Sequence, residues 1–323
     1  MKRFNAPLIA LTLVALSLSL VAAGCGSDDD SGSTNADLSG TIKVDGSSTV
    51  APLSEAAAEK FQAENPNVRV TVGTSGTGGG FEKFCAGETD LSDASRPIKD
   101  EEIEICKKNG IEYQELQVAN DGLANVVNTE NDFAKCLTTD QLKKIWDKGS
   151  KVDNWNQVDP SFPDEKLELY GPGTDSGTFD YFTESINGEE GQSRSDYNAT
   201  EDDNVIVQGV SGSKGGLGYF GLSYVEQNAD KIKALEVDGG DGCVAPSTET
   251  VQDGTYKPLS RPLFVYASAE ALKRAEVDAF LEYYITNQTA IAEQALFVPM
   301  TEEQAAASKA SIDKLVEEAG ATS

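Results

Sequence analysis

Three stretches of the chain set short hydroxyl side chains and glycines directly before a run with helical spacing: DGSSTVAPL at 45 to 53, GTSGTGGGF at 73 to 81 and GPGTDSGTF at 171 to 179. Each junction offers free backbone N–H groups, Ser or Thr hydroxyls and the positive end of a helix dipole, and glycine lets the main chain approach closely. The chemistry this suits is the donation of several hydrogen bonds to a small anion. Serine and threonine are also ordinary helix caps, so one such loop says little. Three of them, two early and one in the middle of the chain, can close on one ligand from both sides of a cleft.

Other chemistries fit less well. GTSGTGGG lacks the Gly-Lys-Ser/Thr ending of a Walker A loop and runs Gly-x-x-Gly-x-Gly, not the dinucleotide Gly-x-Gly-x-x-Gly. The chain contains no histidine, which removes the usual general base and metal ligand and with them Ser-His-Asp and Cys-His nucleophiles. We therefore expect no enzyme, no cofactor and no metal site. The formal net charge of −28, without clustered Lys and Arg, argues against nucleic acid and acidic membrane surfaces. It reads as a solvated surface that keeps the protein soluble.

Strands and helices must position the loops, and their spacing is visible. Ile42 and Val44 alternate as in a strand, Leu53, Ala57 and Phe61 recur on one helix face, and Val68, Val70 and Val72 alternate again after the turn signal ENPN. This alternation predicts an α/β fold. IEYQELQVANDGLANVVN reads as two extended segments. LSRPLFVYAS reads as a strand, and a helix follows with Val277, Phe280, Leu281, Tyr284 and Ile285 on one face. The economical map is two lobes: residues 40–117 and 258–323 form lobe I, and 118–257 form lobe II. The chain then crosses twice between them, making a hinge and a cleft.

At the start, MKRFNAPLIALTLVALSLSLVAAGC has a basic end, an apolar run and small residues before Cys25, so 1–24 reads as an export signal. VAAGC resembles a bacterial lipobox, with Ala22 where Leu is usual, and implies lipidation of Cys25; a plain signal peptide or an anchor without lipid is the alternative. Residues 25–39, acidic and rich in Gly and Ser, suit a flexible tether. Cys85, Cys106, Cys136 and Cys243 form an even set that implies disulfides in an exported protein. Pairing Cys85 with Cys106 and Cys136 with Cys243 closes each bridge within one lobe.

VDGSSTVAPLSEAAAEKF, TSGTGGGFEKFCAGETDLSDASRPI and LYGPGTDSGTFDYF together resemble the signature segments of the periplasmic phosphate-binding (PstS-like) proteins that feed the high-affinity phosphate ABC transporter, and the likeness runs from about Thr41 to Met300. It implies the type II periplasmic binding protein fold, with two α/β lobes, two crossover strands and phosphate enclosed between them. It further implies a monomer that hands phosphate to permease subunits from the outer face of the membrane or the periplasm. Carried over by position, Ser48 donates its hydroxyl beside the Thr49 N–H. Thr77 supplies the second hydroxyl, with Ser75 as the fallback, and Ser176, Gly177 and Thr178 cap the anion from lobe II.

Two positions depart from the pattern. Ser95 stands where many members have the Asp that accepts the phosphate proton, and Pro172 where many have an Arg. Arg96 resembles the Ser-Arg pair of another branch and either supplies the positive charge or forms a structural salt bridge. Asp175 becomes a candidate proton acceptor, against the reading that it only caps a helix. The acceptor decides selectivity, because a carboxylate favours an anion that still carries a proton. A receptor for sulfate, molybdate or a phosphonate, a secreted phosphoester-cleaving enzyme, and an adhesion protein that lost its ligand are the competing readings.

Overall fold

The computed structural model describes residues 38–321; the export segment 1–24, Cys25 and the tether up to residue 37 lie outside the described residues. Among the described residues no helix is long and apolar enough to cross a membrane.

The first half of the sheet follows the alternation seen in the sequence. Strand β1 (Gly40–Gly46) leads into α1 (Ala51–Glu64), β2 (Val68–Gly73) into α2 (Gly76–Cys85), and β3 (Leu91–Ala94) into α3 (Asp100–Lys108). β1 pairs in parallel with both β2 and β3, as helical crossovers require. Then comes β4 (Tyr113–Asn128), one strand of 16 residues where the sequence suggested two segments. The Asn-Asp-Gly at its centre forms no turn, because the strand keeps partners along its whole length. Its first part pairs with β12 (Ser260–Ser268) and its second part with β8 (Gly216–Gly221).

The chain between those two long strands supplies β5 (Cys136–Thr138), α4 (Thr139–Trp146), α5 (Trp155–Val158), β6 (Glu168–Gly171), α6 (Gly177–Phe182), β7 (Asn198–Ala199), α7 (Asp203–Gly212), then β8, α8 (Leu222–Gln227), β9 (Ile232–Ala234), β10 (Glu236–Asp238), β11 (Cys243–Val244) and α9 (Thr248–Gln252). A single π turn, Thr183–Asn187, extends α6. After β12 follow α10 (Ala269–Leu272), α11 (Ala275–Thr286), α12 (Gln288–Gln294) and α13 (Glu302–Ala321). The main sheet runs β2-β1-β3-β12-β4-β8-β6-β7, with β9 also on β4, and β11-β10-β5 form a small second sheet.

Two large cores mark two lobes. One gathers Ile42, Leu53, Phe61 and Leu116 with Val265, Phe280, Tyr284 and Ile312; a smaller cluster around Phe81, Phe84 and Tyr266 extends the same side. The other gathers Leu123, Trp146, Trp155, Phe182, Tyr219 and Tyr256. The cores change over between Ala119 and Leu123 on β4 and between Leu259 and Leu263 where the chain enters and follows β12. Val277, Phe280, Leu281, Tyr284 and Ile285 of α11 are all buried, as their spacing implies. Disulfides join Cys85 to Cys106 and Cys136 to Cys243.

Candidate functional site

The first loop is fixed from behind by β3. Ser47 donates its backbone N–H to the Asp93 carbonyl at 2.9 Å, and Gly46 above it has φ +147° with only 2.1 Å between a virtual Cβ and that same carbonyl oxygen. No other residue type fits there. Asp93 itself is buried, accepting from Ser54 Oγ at 2.8 Å; burial pushes its carboxyl up to about 8, with Ser54 opposing and Asp45 and Glu55 adding to the rise. α1 begins without a side-chain cap, but its first turn is closed by the main chain: Ala51 N–H donates to the Ser47 carbonyl at 3.0 Å and Leu53 N–H to the Val50 carbonyl at 2.9 Å, while the Thr49 N–H expected to face the anion donates to Ser47 Oγ at 3.2 Å.

In the second loop Ser75 precedes α2 but turns away, its hydroxyl and N–H both given to the Asp45 carboxylate. Thr77 takes the inner place. Its Oγ1 lies 3.0 Å from Ser95 Oγ and accepts the Ser95 N–H at 3.3 Å, joining the start of α2 to the end of β3. Beyond Ser95, Arg96 makes a two-pronged ion pair with Glu102, both contacts at 2.8 Å. Glu102 is the first cause of the upward shift of the Arg96 guanidinium, and the Glu102 carboxyl is held below its usual range: burial raises it, but the hydrogen bonds and charge of Arg96 and the Lys99 N–H outweigh that.

The third loop belongs to the other lobe. Ser176, not Asp175, caps α6, its Oγ accepting the Thr178 N–H at 3.2 Å. Asp175 is exposed, one residue outside the cap. Gly177 comes so close to the first loop that a Cβ on it would lie 2.5 Å from Thr49 Oγ1. The two lobes therefore meet here, glycine against threonine.

The three loops enclose a cavity of about 270 Å³ lined by Ser47, Ser48, Thr49, Gly76, Thr77, Gly78, Ser95, Arg96, Lys99, Gly177, Asp180, Glu184, Glu190 and Arg261. Of the residues singled out in the sequence, Ser48, Thr49, Thr77, Ser95, Arg96 and Gly177 share this wall. Ser75, Asp175, Ser176 and Thr178 are not on it; Ser176 and Thr178 stand directly beside Gly177.

Five charged lining residues escaped the sequence reading, Lys99, Asp180, Glu184, Glu190 and Arg261, and two of them bear most directly on the chemistry. Arg261 on β12 pairs with Asp121 on β4, Nε to Oδ2 at 3.2 Å, and donates to Thr49 Oγ1 at 3.4 Å. Its guanidinium carbon lies 3.6 Å from the Tyr181 ring centroid. One arginine thus touches both crossover strands and both lobes. These bonds use two of the five donors of a guanidinium and leave the others for a ligand. Asp180, on the first turn of α6, is the other. Burial raises its carboxyl to about 6, Glu190 and Glu184 add to the rise, and Arg261 opposes it. It lies four residues after the capping Ser176, hence on the same helix face, and that spacing was the available signal.

A family model described as a PBP superfamily domain matches residues 31–288. The chain belongs to this superfamily. Protein SphX of Synechococcus elongatus is 52% identical over 262 residues, covering 80% of this chain and 77% of the relative. The phosphate-binding protein PstS of Staphylococcus saprophyticus is 41% identical over 311 residues, covering 96% and 94%. A crystal structure of a possible phosphate-binding protein from Planctomyces limnophilus superimposes with a TM-score of 0.82 at 47% identity, over 86% of this chain and 99% of the other. This PBP superfamily member is PstS-like, with the two-lobed fold of those relatives.

Proposed function

We propose that the protein is an extracytoplasmic receptor that encloses inorganic phosphate between its lobes and delivers it, without chemical change, to an ABC permease. The observation that carries this reading is the convergence of three helix starts and Arg261 on one cavity. The PstS relative is named for phosphate binding, and that substrate fits donors gathered from both lobes. In this reading Ser48, Thr77 and Ser95 donate hydroxyls, the start of α2 donates main-chain N–H groups, and the Ser176-Gly177-Thr178 turn closes the anion from the second lobe. Arg261 supplies the charge. Arg96 serves at longer range, because Glu102 already occupies both its prongs. Export, lipidation of Cys25 and attachment to the outer face of the cytoplasmic membrane complete the proposal.

A net charge of −28 does not oppose this. Screening confines bulk repulsion to about 8 Å at physiological salt, whereas the donors act at contact. Hydrogen bonds to a charged group contribute roughly 1.5–3 kcal/mol each, so several exceed the ~8 kcal/mol of a micromolar complex even after the costs of association. The test is thermal unfolding of the protein stripped of anion, with phosphate and sulfate added at equal concentration. Phosphate alone is expected to raise Tm by mass action; a shift with sulfate alone, or with neither, would sink the reading. A phosphatase assay with and without divalent metal is expected to stay at background.

Within the same reading Asp180 takes the acceptor role for which Asp175 was the sequence candidate. Of the three carboxylates on the wall, Asp180, Glu184 and Glu190, Asp180 is the one on the first turn of α6 and under the influence of Arg261; it accepts the proton of phosphate and repels an anion that has none. Asp180→Asn is expected to weaken phosphate binding about tenfold or more and to let sulfate raise Tm. The raised pKa also has a sign in the ligand-free protein. Between the ordinary 3.8 and about 6 the folded chain holds more protons at Asp180 than the unfolded chain does, so stability falls as pH rises through that window. Comparing the Tm of wild type and Asp180→Asn from pH 4 to 7 measures this; parallel profiles would refute it.

A further inference from the structure

Resting on the receptor reading just given, we propose that residues 296–304 form a third, non-covalent pass between the lobes, and that Gln252, Asn120 and Gln304 are positioning residues that hold the cleft in its closed geometry. The two crossover strands were visible in the sequence; this pass was not.

The pass begins with an unusual backbone. Leu296 has φ +63°, and it is the only non-glycine residue with positive φ among the described residues. It ends α12 in the manner usually left to glycine: Phe297 N–H bonds the Ala292 carbonyl at 2.8 Å and Leu296 N–H the Glu293 carbonyl at 3.2 Å. The reversal sends the chain against the middle of β4. There Asn120 N–H donates to the Val298 carbonyl at 2.8 Å, and Val298 N–H returns a bond to the Asn120 carbonyl at 3.0 Å.

The same arrangement explains a proline inside a strand. Pro262 of β12 stands opposite Asn120. Because the Asn120 main chain faces Val298, the position across from it requires no N–H. At the hinge, therefore, β4 is flanked on one edge by β12 and on the other by residue 298. The side chains alternate between cores: Val298 packs in the core of the second lobe and Met300 in that of the first.

Side-chain amides then fasten the pass to the second lobe. Gln252 of α9 donates to the Pro299 carbonyl at 2.9 Å, and Gln304 of α13 donates to the Gln252 carbonyl at 3.0 Å. Asn120 donates to both the Pro299 carbonyl and Gln304 Oε1 at 3.1 Å. Ser308, one turn further along α13, bonds only the Gln117 carbonyl of β4, at 2.9 Å. Gln252 and Gln304 thus span the lobes and Ser308 does not, in a structure whose cleft is shut to the contact of Gly177 with Thr49.

The test compares Gln252→Ala and Gln304→Ala with Ser308→Ala, none of which lines the cavity. It measures phosphate association and release by stopped flow, ligand-free small-angle scattering, and Tm. The two glutamine variants are expected to release phosphate about three to ten times faster with association unchanged, and to have a larger radius of gyration without ligand. Ser308→Ala is expected to match wild type in both. Because Gln304 also caps α13 through Thr301, Gln252→Ala is the cleaner arm. Release and scattering indistinguishable from Ser308→Ala, or a lowered Tm with neither changed, would overturn the proposal. If wild type binds no phosphate, the ligand reading fails by itself, and scattering still decides the strut: an unchanged radius in Gln252→Ala overturns it.

Discussion

Arg261→Ala is expected to weaken phosphate binding about a hundredfold and to cost the ligand-free protein several kcal/mol. The first effect follows from the loss of the guanidinium that reaches the cavity wall from both crossover strands; one or two charge-assisted bonds to a dianion, at roughly 1.5–3 kcal/mol each, amount to a loss of about a hundredfold. The second follows from its partner. Asp121 is buried, and burial already raises its carboxyl while Arg261 pulls it down. Without the arginine an uncompensated carboxylate remains in the hinge, a situation that typically costs about 3–5 kcal/mol, and Asp121 should then take up a proton. Arg261→Lys separates the two effects. It keeps the charge beside Asp121 but loses the flat stacking on Tyr181 and the forked donors. Its Tm should stay near wild type while affinity, measured by titration calorimetry, drops at least tenfold. Full affinity in Arg261→Lys would show that only charge matters at this position.

Gly177→Ala should be almost silent in the empty protein and damaging in the complex. The added methyl meets Thr49 Oγ1 at 2.5 Å and the Thr49 Cα at 3.3 Å, so closure must stop short or the first loop must give way. Overpacking of this kind costs about 1–3 kcal/mol, equivalent to roughly a tenfold to hundredfold loss of affinity. The ligand-free protein can escape the collision by opening its cleft, so its unfolding should change little while its radius of gyration rises. The pair Gly177→Ala with Thr49→Ala should recover part of the loss, because the oxygen that collides has gone; a double-mutant cycle gives the coupling directly. Strict additivity in that cycle would mean that the two residues do not meet in the bound state.

How much of this was legible beforehand depends on the range of the interaction that carries it. The spacing of Ile42 and Val44, of Leu53, Ala57 and Phe61, and of Val277 through Ile285 reports which side of an element is buried, and it reads correctly because those elements bury one face locally. The hydroxyl loops were equally visible, since cap-like chemistry is confined to a few consecutive residues. β4 was read as two extended segments, and it is one strand whose two parts take different partners, β12 and β8, from distant segments that no local pattern reveals. Arg261 had no local signal at all. Its partner Asp121 lies 140 residues away and Thr49 lies 212 away, so only the closed sheet brings them together. Asp180 lay between these cases, within helical reach of a recognised cap yet overlooked in favour of the nearer Asp175. Residue 298 bonds β4 through one isolated bridge, too short to leave any periodic trace.

The placement of the two cores also fixes an order of events during synthesis. The second core draws on Leu123 through Leu259, with Val298 as its one late addition, so nearly all of it is available once β8, β9 and α9 have emerged. The first core needs Ile42 through Ala119 and also Leu263 through Ile312. Its earliest strands must therefore wait for the last helices. Until β12 arrives, β3 presents an unpaired edge, the kind of surface that seeks other strands. Growing chains of this protein thus expose the segment through Ala119 longest, although domains usually mature from the N-terminus onward, and a holding chaperone would find its binding site in the segment that was made first.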